Sequence, residues 1–153
     1  MKAIEMGKGV YWVGSSVSSS DLFEGLWPIP DGVTLNSYIV KGEKTAIIDL
    51  VRDWGGAPMN IMEAIKSLGI DIKQIDYVVL NHLEPDHTGW LEILNKITKA
   101  KIVTTQKGAD LAKALYHITD EEIMVVKSGD KIDLGNGKTL VFEEIPNVHW
   151  PET

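Results

Sequence analysis

With 153 residues, 44% of them hydrophobic and 24% charged, the chain is long enough to bury a real core and too short for more than one domain. Its formal net charge of −7, with no stripe of lysine or arginine, argues against nucleic acid and anionic membranes as partners. The absence of cysteine excludes disulfides, zinc–thiolate sites, iron–sulfur clusters and a thiol nucleophile, so any metal must be held by nitrogen and oxygen. The apolar runs are too short to span a bilayer, and Met1-Lys2-Ala3-Ile4-Glu5 lacks a signal-peptide core, which makes the cytoplasm the expected location.

In chain order, hydrophobic periodicity alternates between strand-like and helix-like. Val10–Val13 and Tyr38–Val40 read as strands, with Ser15–Ser20 between them as a solvated loop. Lys44–Leu50 should pair with the second strand across a Lys41-Gly42-Glu43 turn. Gly55-Gly56 reads as a turn, too short to cradle phosphate. A helix should start at Pro58, a favoured first position, and stop at Gly69, with Ile61, Met62, Ile65 and Leu68 inward. Strand Tyr77–Leu80 precedes a polar loop, and a helix from Gly89 to Ile97 follows, with Trp90, Leu91, Leu94 and Ile97 inward. Strand Ile102–Thr104, a helix over Ala109–Tyr116 with His117 at its polar end, and strand Ile123–Val126 come next. The last hairpin turns at Asn136-Gly137 and returns along Thr139–Ile145.

The loop after Tyr77–Leu80 reads His82-Leu83-Glu84-Pro85-Asp86-His87-Thr88 and is the chemically richest stretch of the chain. On an extended backbone alternate residues point the same way, so His82, Glu84 and Asp86 are expected to converge. Pro85 fixes one backbone angle and lowers the entropy cost of holding them together. Imidazole with two carboxylates suits iron, manganese or zinc. A polar surface turn that happens to contain histidine and acids is the bland alternative. A second segment, Asn147-Val148-His149-Trp150-Pro151-Glu152-Thr153, follows the strand-like run Thr139–Ile145.

Together the two segments resemble the diiron centre of the flavodiiron proteins, a branch of the metallo-β-lactamase superfamily. Hydrolases of that superfamily carry His-x-His-x-Asp-His at the first loop, and the flavodiiron branch carries His-x-Glu-x-Asp-His, as His82–His87 does here. Thr88-Gly89 looks like the family's small-residue step into a helix, and His149-Trp150-Pro151 like its next ligand. Leu26-Trp27-Pro28 and Asn36-Ser37-Tyr38 extend the likeness toward the start of the chain. The resemblance implies an αββα sandwich of the metallo-β-lactamase type, with only its N-terminal half to two-thirds present and no flavodoxin-like domain. It also implies two non-haem iron ions, held here by His82, Glu84, Asp86 and His149. His87 either joins them or turns away to orient the surrounding shell. Trp150 is expected to line the metal cavity, while Trp27 is either packing or pocket rim, and Asp49 either supports the ligand loop or caps the next segment.

In function, the resemblance implies a protein that binds and reduces O₂ or NO. Electrons would come from FMN on an absent domain or a partner, or from a flavodoxin-like or rubredoxin-like protein. A diiron O₂ sensor without turnover and a zinc-dependent hydrolase are the alternatives. Glu84 weighs against the hydrolase, because a carboxylate adds negative charge and a hard oxygen, both favouring iron. The relatives complete the site with a bridging carboxylate and a further histidine that these residues do not supply. The chain is therefore expected not to close its own core, with further polypeptide or a second copy in a homo-oligomer covering the remaining face.

Overall fold

The computed structural model describes residues 1–23 and 25–153. Strands β1 (Ile4–Gly7) and β2 (Val10–Trp12) pair antiparallel, and β3 (Ser15–Val17) follows them. A small hairpin, β4 (Leu22–Phe23) and β5 (Trp27–Pro28), precedes β6 (Val33–Leu35), which pairs with β3. The stretch expected as a solvated serine loop therefore begins as a strand, and Ser15 within it is fully buried. The Asn60 side-chain amide donates to the Ser15 hydroxyl at 2.8 Å, which satisfies a group that composition alone assigns to solvent.

Strands β7 (Tyr38–Lys41) and β8 (Thr45–Ile48) form the expected antiparallel pair. Beyond them the sheet continues in parallel through β9 (Tyr77–Val79), β10 (Lys101–Thr104) and β11 (Ile123–Val125). Each parallel step needs a crossover, and each has one. Helix α1 (Ala57–Ser67) lies between β8 and β9, the short α2 (Pro85–Thr88) and α3 (Leu91–Ile97) between β9 and β10, and α4 (Gln106–Tyr116) between β10 and β11. Among the described residues the main sheet runs in the order β1-β2-β7-β8-β9-β10-β11. Because the parallel strands are added in one direction, right-handed crossovers place all these helices on the same face.

Alternation along the strands divides the core in two. Ile39, Ile47, Val78 and Ile102 face the helical side, where they join Ile61, Ile65, Leu91 and Leu94. Their neighbours Ala46, Val79 and Val103 face the opposite side, against Leu134, Ile132 and Leu140 of the hairpin β12 (Lys131–Gly135) and β13 (Lys138–Val141). One helical layer, one large sheet and one hairpin of an opposing β layer are thus present, which is part of an αββα sandwich.

Three local departures have physical causes. The helix expected over 89–97 begins two residues later, at Leu91, because the Trp90 amide donates to the Val51 carbonyl at 3.0 Å and Trp90 serves as the cap, while Pro85 starts a separate short turn before it. Ile97, expected inward, ends α3 and is 37% exposed. The strand expected to reach Ile145 stops at Val141; beyond it the two arms of the hairpin stay joined by irregular bonds, the Phe142 amide donating to Asp130, the Gly129 amide to Phe142 and the Glu144 amide to the Ser128 hydroxyl. No helix among the described residues is long and apolar enough to cross a membrane.

Candidate metal centre

Because β8, β9 and β10 are parallel neighbours, the residues that follow them emerge along one edge of the sheet. Asp49, directly after β8, has a positive φ of 53°, which turns the chain there. Its Oδ1 accepts the Asn81 backbone N–H at 2.8 Å and its Oδ2 lies 3.3 Å from Asn81 Nδ2. Of the two roles open to Asp49, the structure shows support of the ligand loop. Thr88, fully buried, places its hydroxyl 3.0 Å and 2.9 Å from the Leu83 and Glu84 carbonyls and 2.6 Å from the Tyr116 hydroxyl. The loop is thereby fastened at both ends before any ligand is considered.

On this frame Glu84 Oε2 stands 2.9 Å from His82 Nε2 and 2.9 Å from His149 Nε2. One ligand atom from each of the three side chains lies within 4.8 Å of the others. Adjacent ligands of a single first-row ion, with bonds of roughly 2.0–2.2 Å, stand about 3 Å apart, and the 2.9 Å between Glu84 Oε2 and each histidine nitrogen matches that spacing. The His82 and Glu84 side chains are only 12% and 14% exposed, whereas His149 is 64% exposed. His149 reaches the group from a loop in which its own φ is 88°, a conformation unusual for a residue with a Cβ.

Asp86 falls outside this trio. Alternation holds only while the backbone is extended, and Pro85 begins the helical turn α2 at the next residue. Asp86 and His87 instead form a second, looser group with Asp49. His87 Nε2 is 3.6 Å from Asp86 Oδ2, and His87 Nδ1 is 3.5 Å from Asp49 Oδ2. Asp86 Oδ1 and His87 Nδ1 are buried without hydrogen-bond partners. The Asp49 carboxylate raises the His87 pKa above its ordinary value, against the lowering that burial alone would produce, and Asp86 and Glu84 add to the rise. The two groups touch, with the His82 and His87 rings 5.1 Å apart.

Trp150, expected in the metal cavity, lies beside His82. Its ring meets His82 edge-on at 5.0 Å and lines a cavity of about 250 Å³ with Glu84, Pro85, Asp86, Arg52, Trp54 and Phe23. Trp27 does not join that cavity. It sits opposite Phe23 in the small hairpin and is 62% exposed, while Phe23 approaches Trp54 with ring centroids 6.2 Å apart. His117 ends α4 in a left-handed conformation, as a polar cap residue.

Sequence reasoning passed over Glu152. It is 2% exposed; its Oε1 accepts the Leu83 backbone N–H at 3.0 Å and lies 2.9 Å from His82 Nδ1. The residue sits in an irregular loop, where no periodicity marks a side chain as inward, so only its place three residues after His149 could have drawn notice.

Comparison with known proteins identifies the family. The sequence profile of the metallo-beta-lactamase superfamily matches residues 30–151. The anaerobic nitric oxide reductase flavorubredoxin of Vibrio vulnificus is 36% identical over 152 residues, which cover 98% of this chain and 30% of that protein. Among solved structures, the rubredoxin oxygen:oxidoreductase of Desulfovibrio gigas superposes with a TM-score of 0.88 at 35% identity, covering 99% of this chain and 37% of that one. The flavodiiron protein of Giardia intestinalis gives 0.86 at 30% identity, covering 100% and 36%. The chain thus spans about a third of the length of these relatives, at 30% to 37%. Sequence profile, fold and loop pattern agree that the chain belongs to the metallo-β-lactamase superfamily, in its flavodiiron branch.

Proposed function

We propose that the chain forms part of a non-haem diiron site that binds and reduces O₂ or NO. The observation that carries this reading is the placement of Glu84 Oε2 at 2.9 Å from both histidine nitrogens, His82 Nε2 and His149 Nε2. Two neutral imidazoles and one carboxylate form a hard, nitrogen–oxygen donor set that suits ferrous and ferric iron. Asp86 Oδ1, buried without a hydrogen-bond partner, and His87 Nδ1, with only the distant Asp49 carboxylate at 3.5 Å, are the kind of polar atoms that a second ion nearby would satisfy.

In this reading His82, Glu84 and His149 hold the first iron, and Asp86, with His87 beside it, faces the second. When bound, the irons supply gas binding and electron storage. The chain's own contribution is to fix the ligands before metal arrives and to keep the approach narrow. Asp49 and Thr88 fasten the ligand loop, while Trp150, Trp54 and Phe23 give the roughly 250 Å³ cavity beside Glu84 an apolar wall. Electrons would arrive from FMN elsewhere in the full protein or on a partner, or from a flavodoxin-like or rubredoxin-like carrier.

Anaerobic reconstitution tests this. Purified protein is loaded with Fe²⁺, its iron counted, and its consumption of NO and of O₂ followed with a chemical reductant and a flavin mediator. Close to two irons per chain with turnover of either gas supports reduction. Two irons with reversible O₂ binding and no turnover would support a sensor. Zinc taken up in preference to iron, with ester or thioester hydrolysis, would sink the redox reading.

A further inference from the structure

Glu152 contributes nothing to the ligand trio, yet among the described residues it is the one buried acid. A buried carboxylate is unfavourable unless something holds it, so its surroundings indicate what it does. Its Oε1 receives the Leu83 backbone N–H at 3.0 Å and stands 2.9 Å from His82 Nδ1. The other nitrogen of the same ring, Nε2, stands 2.9 Å from Glu84 Oε2. A neutral imidazole carries one N–H, so a ring that donates from Nδ1 to Glu152 presents a bare lone pair at Nε2.

The backbone of Glu152 is anchored as firmly. Its carbonyl accepts the Thr105 hydroxyl at 2.8 Å, and the Thr105 oxygen in turn accepts the Gly108 N–H at 3.2 Å, capping α4. A Cβ at Gly108 would lie 2.1 Å from Thr104 Oγ1, so only glycine lets the start of α4 press this close to the end of β10 and bring Thr105 into reach. The C-terminal loop also closes on itself, with the Ile145 amide donating to Thr153 and the Asn147 amide to Trp150, each at 2.9 Å. His149 rides on that loop.

We propose that Glu152 is a positioning residue with two linked tasks. Its carboxylate fixes His82 with Nδ1 protonated and Nε2 turned bare toward a metal, and it docks the loop carrying His149 onto the same sheet edge. This rests on the reading that His82, Glu84 and His149 hold an ion. Carboxylate–histidine–metal relays of this kind set the tautomer and the basicity of the coordinating ring.

The test uses Zn²⁺ as a diamagnetic probe, with affinity read by competition against a chromophoric chelator and imidazole N–H protons observed by NMR. In the wild-type protein, Zn²⁺ should yield a slowly exchanging Nδ1–H resonance from His82. Glu152→Ala should lose that resonance and bind Zn²⁺ roughly 10–100-fold more weakly. Glu152→Gln keeps an acceptor oxygen of the same reach, so it should keep the resonance with a loss near the low end of that range. If the alanine variant does not fold, the glutamine variant decides the matter. An unchanged affinity in Glu152→Gln, or a Glu152→Ala protein with the His82 resonance intact, overturns the proposal while leaving the metal reading standing. Wild-type protein that takes up neither Zn²⁺ nor Fe²⁺ sinks the metal reading, and this proposal with it.

Discussion

The two histidine–carboxylate groups at this sheet edge are neighbours built to different standards. Around His82 every contact is short: Glu84 at 2.9 Å on one nitrogen, Glu152 at 2.9 Å on the other, and His149 2.9 Å from the same Glu84 oxygen. Around His87 the distances to Asp49 and Asp86 are 3.5 Å and 3.6 Å, and Asp86 Oδ1 and His87 Nδ1 are buried without hydrogen-bond partners, as is Glu152 Oε2 beside His82. The cause is local. Glu84 is the last extended residue of its loop, so His82 and Glu84 obey strand geometry, whereas Asp86 and His87 belong to the turn that Pro85 begins. The first group is preorganised, and the second requires something more to settle it. A protein that binds two ions on such a frame should fill the first position before the second.

Glu84→Ala should break the comparison most severely. It removes the oxygen that both histidines face, and the loss of affinity for the first Fe²⁺ or Zn²⁺ should exceed the roughly 10–100-fold typical of an outer-shell partner. Calorimetric titration of the apo-protein reads it directly, and a near wild-type first step would show that Glu84 is not a ligand.

Asp86→Ala should sharpen the contrast. The second binding step should weaken by about tenfold or more while the first stays where it was, if the two groups act as separate positions. Loss of both steps together would mean that the site is a single unit and that the comparison is false.

Glu84→His should change selectivity rather than remove binding. Replacing a hard, charged ligand with a neutral imidazole moves the donor set toward that of zinc hydrolases. After growth with both metals present, the ratio of zinc to iron in the purified variant should rise over that of the wild type, and an unchanged ratio would dismiss Glu84 as the selector.

The smallest effect is expected at Asp49→Ala, which removes the acceptor for the Asn81 amide and puts alanine in a left-handed conformation. Each of these costs about 1 kcal/mol, so a loss of roughly 1–2 kcal/mol in denaturant unfolding is predicted. Most of any functional change should fall on the His87 group, the one Asp49 touches.

Much of this frame was legible in the sequence. Helix α1 begins one residue before Pro58, at Ala57, and Gly69, at a positive φ of 70°, follows its end, because first-turn proline and chain reversal are set by single residues whose stereochemistry acts locally. Asn136-Gly137 closes the β12–β13 hairpin for the same reason, both residues having positive φ. The pair His82 and Glu84 was readable because alternation along an extended chain is also local. What could not be read depends on partners far away in sequence. The late start of α3 arises from a Trp90–Val51 hydrogen bond, the strand at Ser15 from pairing with Leu35, and the burial of Glu152 from a loop folding over Leu83. Phe23 replaces Trp27 at the cavity because which residue of a hairpin meets Trp54 is decided by docking and not by pattern.

The most direct measurement is an anomalous difference map from crystals of the protein grown or soaked with Fe²⁺ under anaerobic conditions, recorded on either side of the iron absorption edge. The account predicts a peak at roughly 2.0–2.2 Å from His82 Nε2, from a Glu84 carboxylate oxygen and from His149 Nε2, with any second peak weaker, on the Asp86 side and about 3.5–4 Å away. A peak that misses any of these three residues, or iron found only around Asp86 and His87, would contradict it.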